Sequence, residues 1–186
     1  SVRDEILVVD NGSMDDTPAL LSRLAAMTPN LVTRHETQPG LSAARNTALR
    51  HSRSQFVVFL DDDAVAEPGW LEAYASFFSV PPSGRAAVVG GPVTPEYENP
   101  PPKWLDSRRD ALDWGDIRKR VPARGGAWGC NIAYRQSAAL QVGMFRPQLG
   151  REGRALGAHE ETELNLRLEK AGYEIWWLPD ARIRHH

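Results

Sequence analysis

The chain has 186 residues, 41% hydrophobic and 25% charged, with a formal net charge of −2; that length suffices for one α/β domain with a sizeable core. Its charges of both signs are interspersed without a basic stripe, which argues against a nucleic-acid protein. A single cysteine, Cys130, excludes an intrachain disulfide, and no apolar run approaches the roughly 20 residues needed to cross a bilayer.

Ile6-Leu7-Val8-Val9 predicts a short buried strand ending in an acid, Asp10-Asn11-Gly12-Ser13. Thr17 before Pro18 predicts a helix start with Thr17 as N-cap and Leu20, Leu21 and Leu24 facing inward. Leu31-Val32-Thr33 reads as a strand, Gln38-Pro39-Gly40 as a turn, and Ser42 as the cap of a helix running to about His51. Arg45 and Asn46 lie in its first turns, where they reach the carboxyl edge of a sheet or stand solvated on the surface. Phe56-Val57-Val58-Phe59-Leu60 then runs without a break into Asp61-Asp62-Asp63. Such a run predicts a strand buried on both faces, in the middle of a parallel sheet. Its acids sit at the carboxyl end, where open α/β sheets bind ligands. Two readings stand at this point: a divalent cation held among carboxylates that otherwise repel one another, or a solvated acidic turn.

Trp70, Tyr74, Phe77 and Phe78 recur at helical spacing after Pro68, which assigns them to the core rather than to sugar stacking. Residues 86–90 form another strand, and the alternation of strand and helix predicts a doubly wound parallel sheet. Residues 91–126, with Pro100-Pro101-Pro102 and Lys103-Trp104, lose periodicity and read as a lid-like loop. Residues 127–135 predict a strand in which Cys130 is a packing residue. The stretch from His159 to Gly172 is a helix with Leu164, Leu168 and Ala171 on one face and Gly172 just past its end; acids at its start suit the positive end of the helix dipole, a sufficient structural reason for Glu160 and Glu161. Residues 173–178 and 181–186 close the chain, whose ends read as cuts in a longer protein.

In order, these motifs are an acid-ended strand, Gly-Leu-Ser-Ala-Ala-Arg-Asn, Asp-Asp-Asp, Gly-Cys-Asn-Ile-Ala-Tyr-Arg, Glu-Glu-Thr-Glu-Leu and a late His. Over essentially the whole chain the series resembles the family 2 glycosyltransferases. The resemblance implies a single GT-A domain over 1–186: a Rossmann-like, mostly parallel central sheet flanked by helices, here lacking the family's first strand. It also implies an inverting enzyme that uses nucleotide-diphosphate sugars, UDP-type foremost, with Mg²⁺ or Mn²⁺. Asp10, with Asn11, matches the acid that meets the nucleotide base, and Arg45 a basic residue near the nucleotide. Asp61 and Asp63 match the Asp-x-Asp motif; Asp63 would bind the metal, Asp61 would serve both donor and metal, and Asp62 would contact the donor ribose or sugar. Gly126, Asn131 and Tyr134 fall in the segment lining the donor and acceptor pocket. Glu161 stands at the family's catalytic Asp, with Glu160 as the fallback base; the extra methylene sets the carboxylate back by roughly 1 Å. His185, or else His186, matches a histidine that completes the metal shell, although two terminal histidines also read as the start of an affinity tag.

The implied reaction is sugar transfer in polysaccharide biosynthesis to a saccharide or lipid-linked acceptor, with no nucleic-acid partner and no membrane span in this stretch. The implied location is cytoplasmic, or membrane-associated through segments beyond it. A non-catalytic sugar-nucleotide or partner-binding module and a nucleotidyltransferase are the competing readings; no Gly-rich phosphate loop supports the latter.

Overall fold

The computed structural model describes residues 5–99, 101, 111–149 and 159–186. The largest sheet is built on β5 (Ala86–Gly90), whose five residues are all buried. It holds β3 (Phe56–Leu60), β8 (Asn131–Arg135), β5, β9 (Glu174–Trp177) and β7 (Lys119–Arg120), in that order. The two-residue period of a strand divides its side chains between two cores. Val88, Ile132 and Tyr134 point into one, with Leu49, Phe145, Leu164, Leu168 and Trp177. Val89 and Ala133 point into the other, with Tyr74 and Phe77. The first core is covered by α2 (Leu41–His51), α4 (Gln136–Gln141) and α5 (Glu160–Lys170), the second by α3 (Trp70–Ser79). The aromatic residues of α3 are therefore core, as their spacing implied.

The sheet is mixed. β3, β5 and β9 share one direction, and β8 is inserted antiparallel between β3 and β5. This departs from the parallel sheet read from the alternation of elements, because β8 follows an irregular connection rather than a crossover helix, and that leaves its direction free. β3 is half-buried along its length instead of buried on both faces, since it pairs with β8 on one edge only among the described residues. β1 (Ile6–Asp10) pairs in parallel with β2 (Leu31–His35) as a separate two-stranded sheet. Two strands are too narrow to cover α1 (Thr17–Met27), so Leu20 and Leu24 stay 44% and 41% exposed rather than turning inward. Asp16, not Thr17, takes the cap position of α1, and Gly40, not Ser42, that of α2; Ser42 is buried with its hydroxyl unpartnered.

A third sheet was not legible in the sequence: β4 (Ala64–Ala66), β10 (Ile183–His185) and β6 (Val93–Pro95). β10 runs antiparallel to β4 with His185 opposite Ala64, the residue after Asp63. The described part of 91–126 is not a free loop. Val93 bridges Leu112, and Leu112, Val121 and Ala123 are buried. Lys103 and Trp104 lie outside the described residues. Strand β8 begins at Asn131, four residues later than the sequence implied, because residues 129–130 turn and Asn131 donates its backbone N–H to the Trp128 carbonyl.

Candidate active site

A cleft of about 680 Å³ opens where β3, the residues before β8, the start of α5 and the end of β10 meet. Asp61, Asp63, Glu160, Glu161, Arg45 and His185 all line it. They come from sequence positions up to 140 apart, and each is delivered by a regular element or its end. Asp61 follows the last residue of β3. Asp63 precedes β4, and the β4–β10 register sets His185 beside it, with Nε2 3.1 Å from Asp63 Oδ1. The backbone N–H of His186 donates to the Asp63 carbonyl and fastens the same corner.

Asp61, Asp63 and His185 present ligand atoms within 4.8 Å of one another. Two carboxylate oxygens and an imidazole nitrogen are a donor set suited to Mn²⁺ or Mg²⁺, with room for further oxygen ligands because Asp63 is exposed. His186 does not join them: its Nε2 lies 3.5 Å from Glu96, outside the cleft. Asp62 is exposed at the turn and is not part of the cleft wall.

Arg45 is buried rather than solvated. Its Nη1 donates to Glu160 Oε1 at 2.7 Å and its Nη2 to Asp61 Oδ1 at 2.9 Å, so both terminal nitrogens serve carboxylates. The next residue, Asn46, clamps the Phe145 backbone in both directions, at 2.8 and 2.9 Å. Burial raises the Glu160 carboxyl above its ordinary pKa and outweighs the opposing attraction of Arg45. Glu161, one residue on, is half-buried, and Thr162 donates to its Oε1 at 3.2 Å. Of the two glutamates, Glu161 is the more accessible to a ligand.

Besides Asp62, five residues expected in the donor and acceptor pocket lie elsewhere. Asn131 is fully buried behind the wall, accepting from Trp70 Nε1 and Tyr74 Oη and donating to the Pro92 and Ala181 carbonyls. The backbone of Gly126 packs so closely on Pro122 that a Cβ there would lie 2.1 Å from the Pro122 oxygen; its neighbours Arg124 and Gly125 face the cleft instead. Asn11 is spent on the loop before α2, donating to the Glu36 and Gln38 carbonyls and accepting from the Gly40 N–H. Asp10 is buried at the end of β1, away from the cleft wall. Hydrogen bonds from Ser13, then from His35, hold its carboxyl below the usual range. Tyr134 is likewise core, with its hydroxyl on Asn165.

Sequence reasoning missed Arg124, Trp128, Gly129 and His159, which also line the cleft. His159 carries the one available signal, since it stands directly before the Glu-Glu pair. Its positive φ of 76° is uncommon for a residue other than glycine and occurs here at a ligand-sized cleft. Cys130 on the same wall is 8% exposed, and burial pushes its thiol up to about 12, which makes it an inert packing group.

The family model described as glycosyl transferase family 2 matches residues 2–143. Succinoglycan biosynthesis protein ExoM of Rhizobium meliloti is 30% identical over 97% of this chain and 56% of its own length. The glucosyl-dolichyl phosphate glucuronosyltransferase of Haloferax volcanii is 23% identical over 97% and 58%. The chain thus spans little more than half the length of these relatives. Among solved structures, GalNAc-T7 with UDP, GalNAc and Mn²⁺ superposes with a TM-score of 0.69 at 17% identity, over 97% of this chain and 37% of that one. The mannosyltransferase PcManGT of Pyrobaculum calidifontis, with GDP-Man and Mn²⁺, gives 0.66 at 22%, over 97% and 47%. These likenesses show the shared GT-A fold.

Proposed function

For a chain that belongs to glycosyl transferase family 2, we propose that the cleft transfers a sugar from a nucleoside-diphosphate donor to an acceptor hydroxyl by a single, inverting displacement. The observation that carries this reading is the convergence of Asp61, Asp63 and His185 within 4.8 Å in the cleft that Glu161 also lines. Asp61, Asp63 and His185 would hold a divalent metal, which when bound would supply Lewis-acid neutralisation of the charge that builds on the departing diphosphate. Glu161 accepts the hydrogen bond of the acceptor hydroxyl and takes its proton as the oxygen attacks the anomeric carbon. Glu160, turned onto Arg45, keeps a supporting role. Asp62 faces solvent where a donor sugar or ribose can meet it, whereas Asp10, buried and bonded to Ser13 and His35, serves the turn after β1. The described chain acts as one catalytic domain, in which Arg124 and Gly125, next to the buried Val121 and Ala123, form a wall of the donor cleft. The UDP bound to GalNAc-T7, the GDP-Man bound to PcManGT and the names of the relatives favour a UDP-type or GDP-type sugar and a saccharide or lipid-linked acceptor.

The test is calorimetry on the full-length protein with UDP, GDP, dTDP and CDP, with and without Mn²⁺, for the wild type and Asp63→Ala. One base should bind selectively with Mn²⁺ and lose that binding in the variant. Glu161→Gln should then keep binding while turnover falls by roughly 10²- to 10⁴-fold. Absence of binding by every nucleotide would sink the reading.

A further inference from the structure

Arg45 is expected near the nucleotide and borders the cleft, yet it is only 4% exposed and its surroundings enclose most of its guanidinium. Its guanidinium lies 5.8 and 5.7 Å from the centres of the Phe59 and Phe145 rings. On another side the Gly129 backbone closes over it, since a Cβ there would lie 2.7 and 2.8 Å from Nη1 and Nη2. Its two terminal nitrogens bond carboxylates whose side chains are 6% (Glu160) and 28% (Asp61) exposed. Among the described residues, the Arg45–Glu160 bond is the one hydrogen bond that joins α5 to α2 or β3. A planar fork of donors suits this bridging task, whereas a lysine would place one point charge between the two acids.

We propose that Arg45 is a positioning residue and not a nucleotide contact. It ties the first turn of α5, through Glu160, to the end of β3, through Asp61, and so fixes Glu161 relative to the Asp61–Asp63–His185 group. The roles of those groups rest on the function proposed above; the tie between α5 and β3 does not. Its value to transfer lies in spacing, because a misplacement of about 1 Å between reacting groups can cost about 10²-fold in rate.

Arg45→Met alone would strand a buried carboxylate, so the test uses Arg45→Met/Glu160→Leu, since replacing a buried ion pair by apolar groups is often nearly neutral. In the full-length protein this double variant should melt close to the wild type. Amide exchange at Glu163, Leu164 and Asn165 should speed up by about tenfold or more, while Arg167 to Glu169 change little. UDP with Mn²⁺, or the diphosphate selected by the nucleotide panel, should bind about as tightly as to the wild type, because the variant removes a cation and a carboxylate together and touches no proposed ligand of the metal. Arg45→Lys, which keeps the charge without the fork, should give a smaller rise in exchange with the same binding, and it carries the test alone if the double variant fails to fold. Unchanged exchange in the first turn of α5, or nucleotide affinity reduced tenfold or more in either variant, would overturn the proposal. A wild type that binds no nucleotide would instead refute the proposed function and leave the exchange result standing.

Discussion

Replacing Asn131 by alanine separates a structural amide from a ligand contact. The substitution leaves three groups without a partner: the Trp70 Nε1–H at 2.9 Å, the Tyr74 hydroxyl at 2.9 Å and the Ala181 carbonyl at 2.8 Å; the Pro92 carbonyl loses one bond at 3.0 Å but keeps the Ile183 N–H at 3.1 Å. Each orphaned polar group costs about 1–3 kcal/mol, so three at the lower end amount to about 3 kcal/mol. With a urea dependence of about 2 kcal/mol/M, the unfolding midpoint should fall by roughly 1.5 M. Asn131→Asp should do no better. It still accepts from Trp70 and Tyr74, but it sets a buried carboxylate against two carbonyl oxygens that had received N–H groups. Urea titration followed by circular dichroism reads the stability, and calorimetry with UDP and Mn²⁺ reads the site. An Asn131→Ala midpoint within roughly 0.5 M of the wild type, together with loss of nucleotide binding, would show that the amide faces the ligand and would refute this reasoning.

Gly91→Ala should be poorly tolerated, because a Cβ there would lie 2.0 Å from the Ala181 carbonyl oxygen, a backbone atom that cannot swing away; soluble yield and melting temperature check this, and a wild-type melt would count against it. Asp10 has a folded pKa below its ordinary value of 3.8, so its contribution to stability is fully present above that value and is lost as pH falls through the folded pKa. Asp10→Asn should therefore melt lower than the wild type at neutral pH, with the gap narrowing in acid; a gap independent of pH would contradict the assignment. Cys130 should resist thiol reagents at pH 8 until the protein unfolds, since its thiol is held at about 12 and is 8% exposed, and rapid labelling of the native protein would show that this wall opens.

What the sequence determined by itself was local and periodic. The apolar run Phe56–Leu60 declares a strand, though not its half-burial, and the all-apolar β5 and the helical spacing of Tyr74 and Phe77 declare both an element and its buried face, because burial of neighbouring side chains follows the period of the backbone. Gly172, with φ of 87°, ends α5 as its position implied. The ordered acids Asp61, Asp63, Glu160 and Glu161 marked where a site would form, and the structure gathers all four on one cleft.

Tertiary structure alone decided which side chains face that cleft. Asn131 and Arg45 are both polar residues in motif segments, and nothing local distinguishes an amide that ties four groups together from one that meets a ligand. The direction of β8 and the pairing of β10 with β4 depend on partners about 40 to 120 residues away. The decisive contacts, His185 against Asp63 and Glu160 against Arg45, span 122 and 115 positions. Sequence pattern reports the face a residue presents within its own element, whereas a site is made where the ends of several elements meet, and that meeting is set by packing over the whole chain.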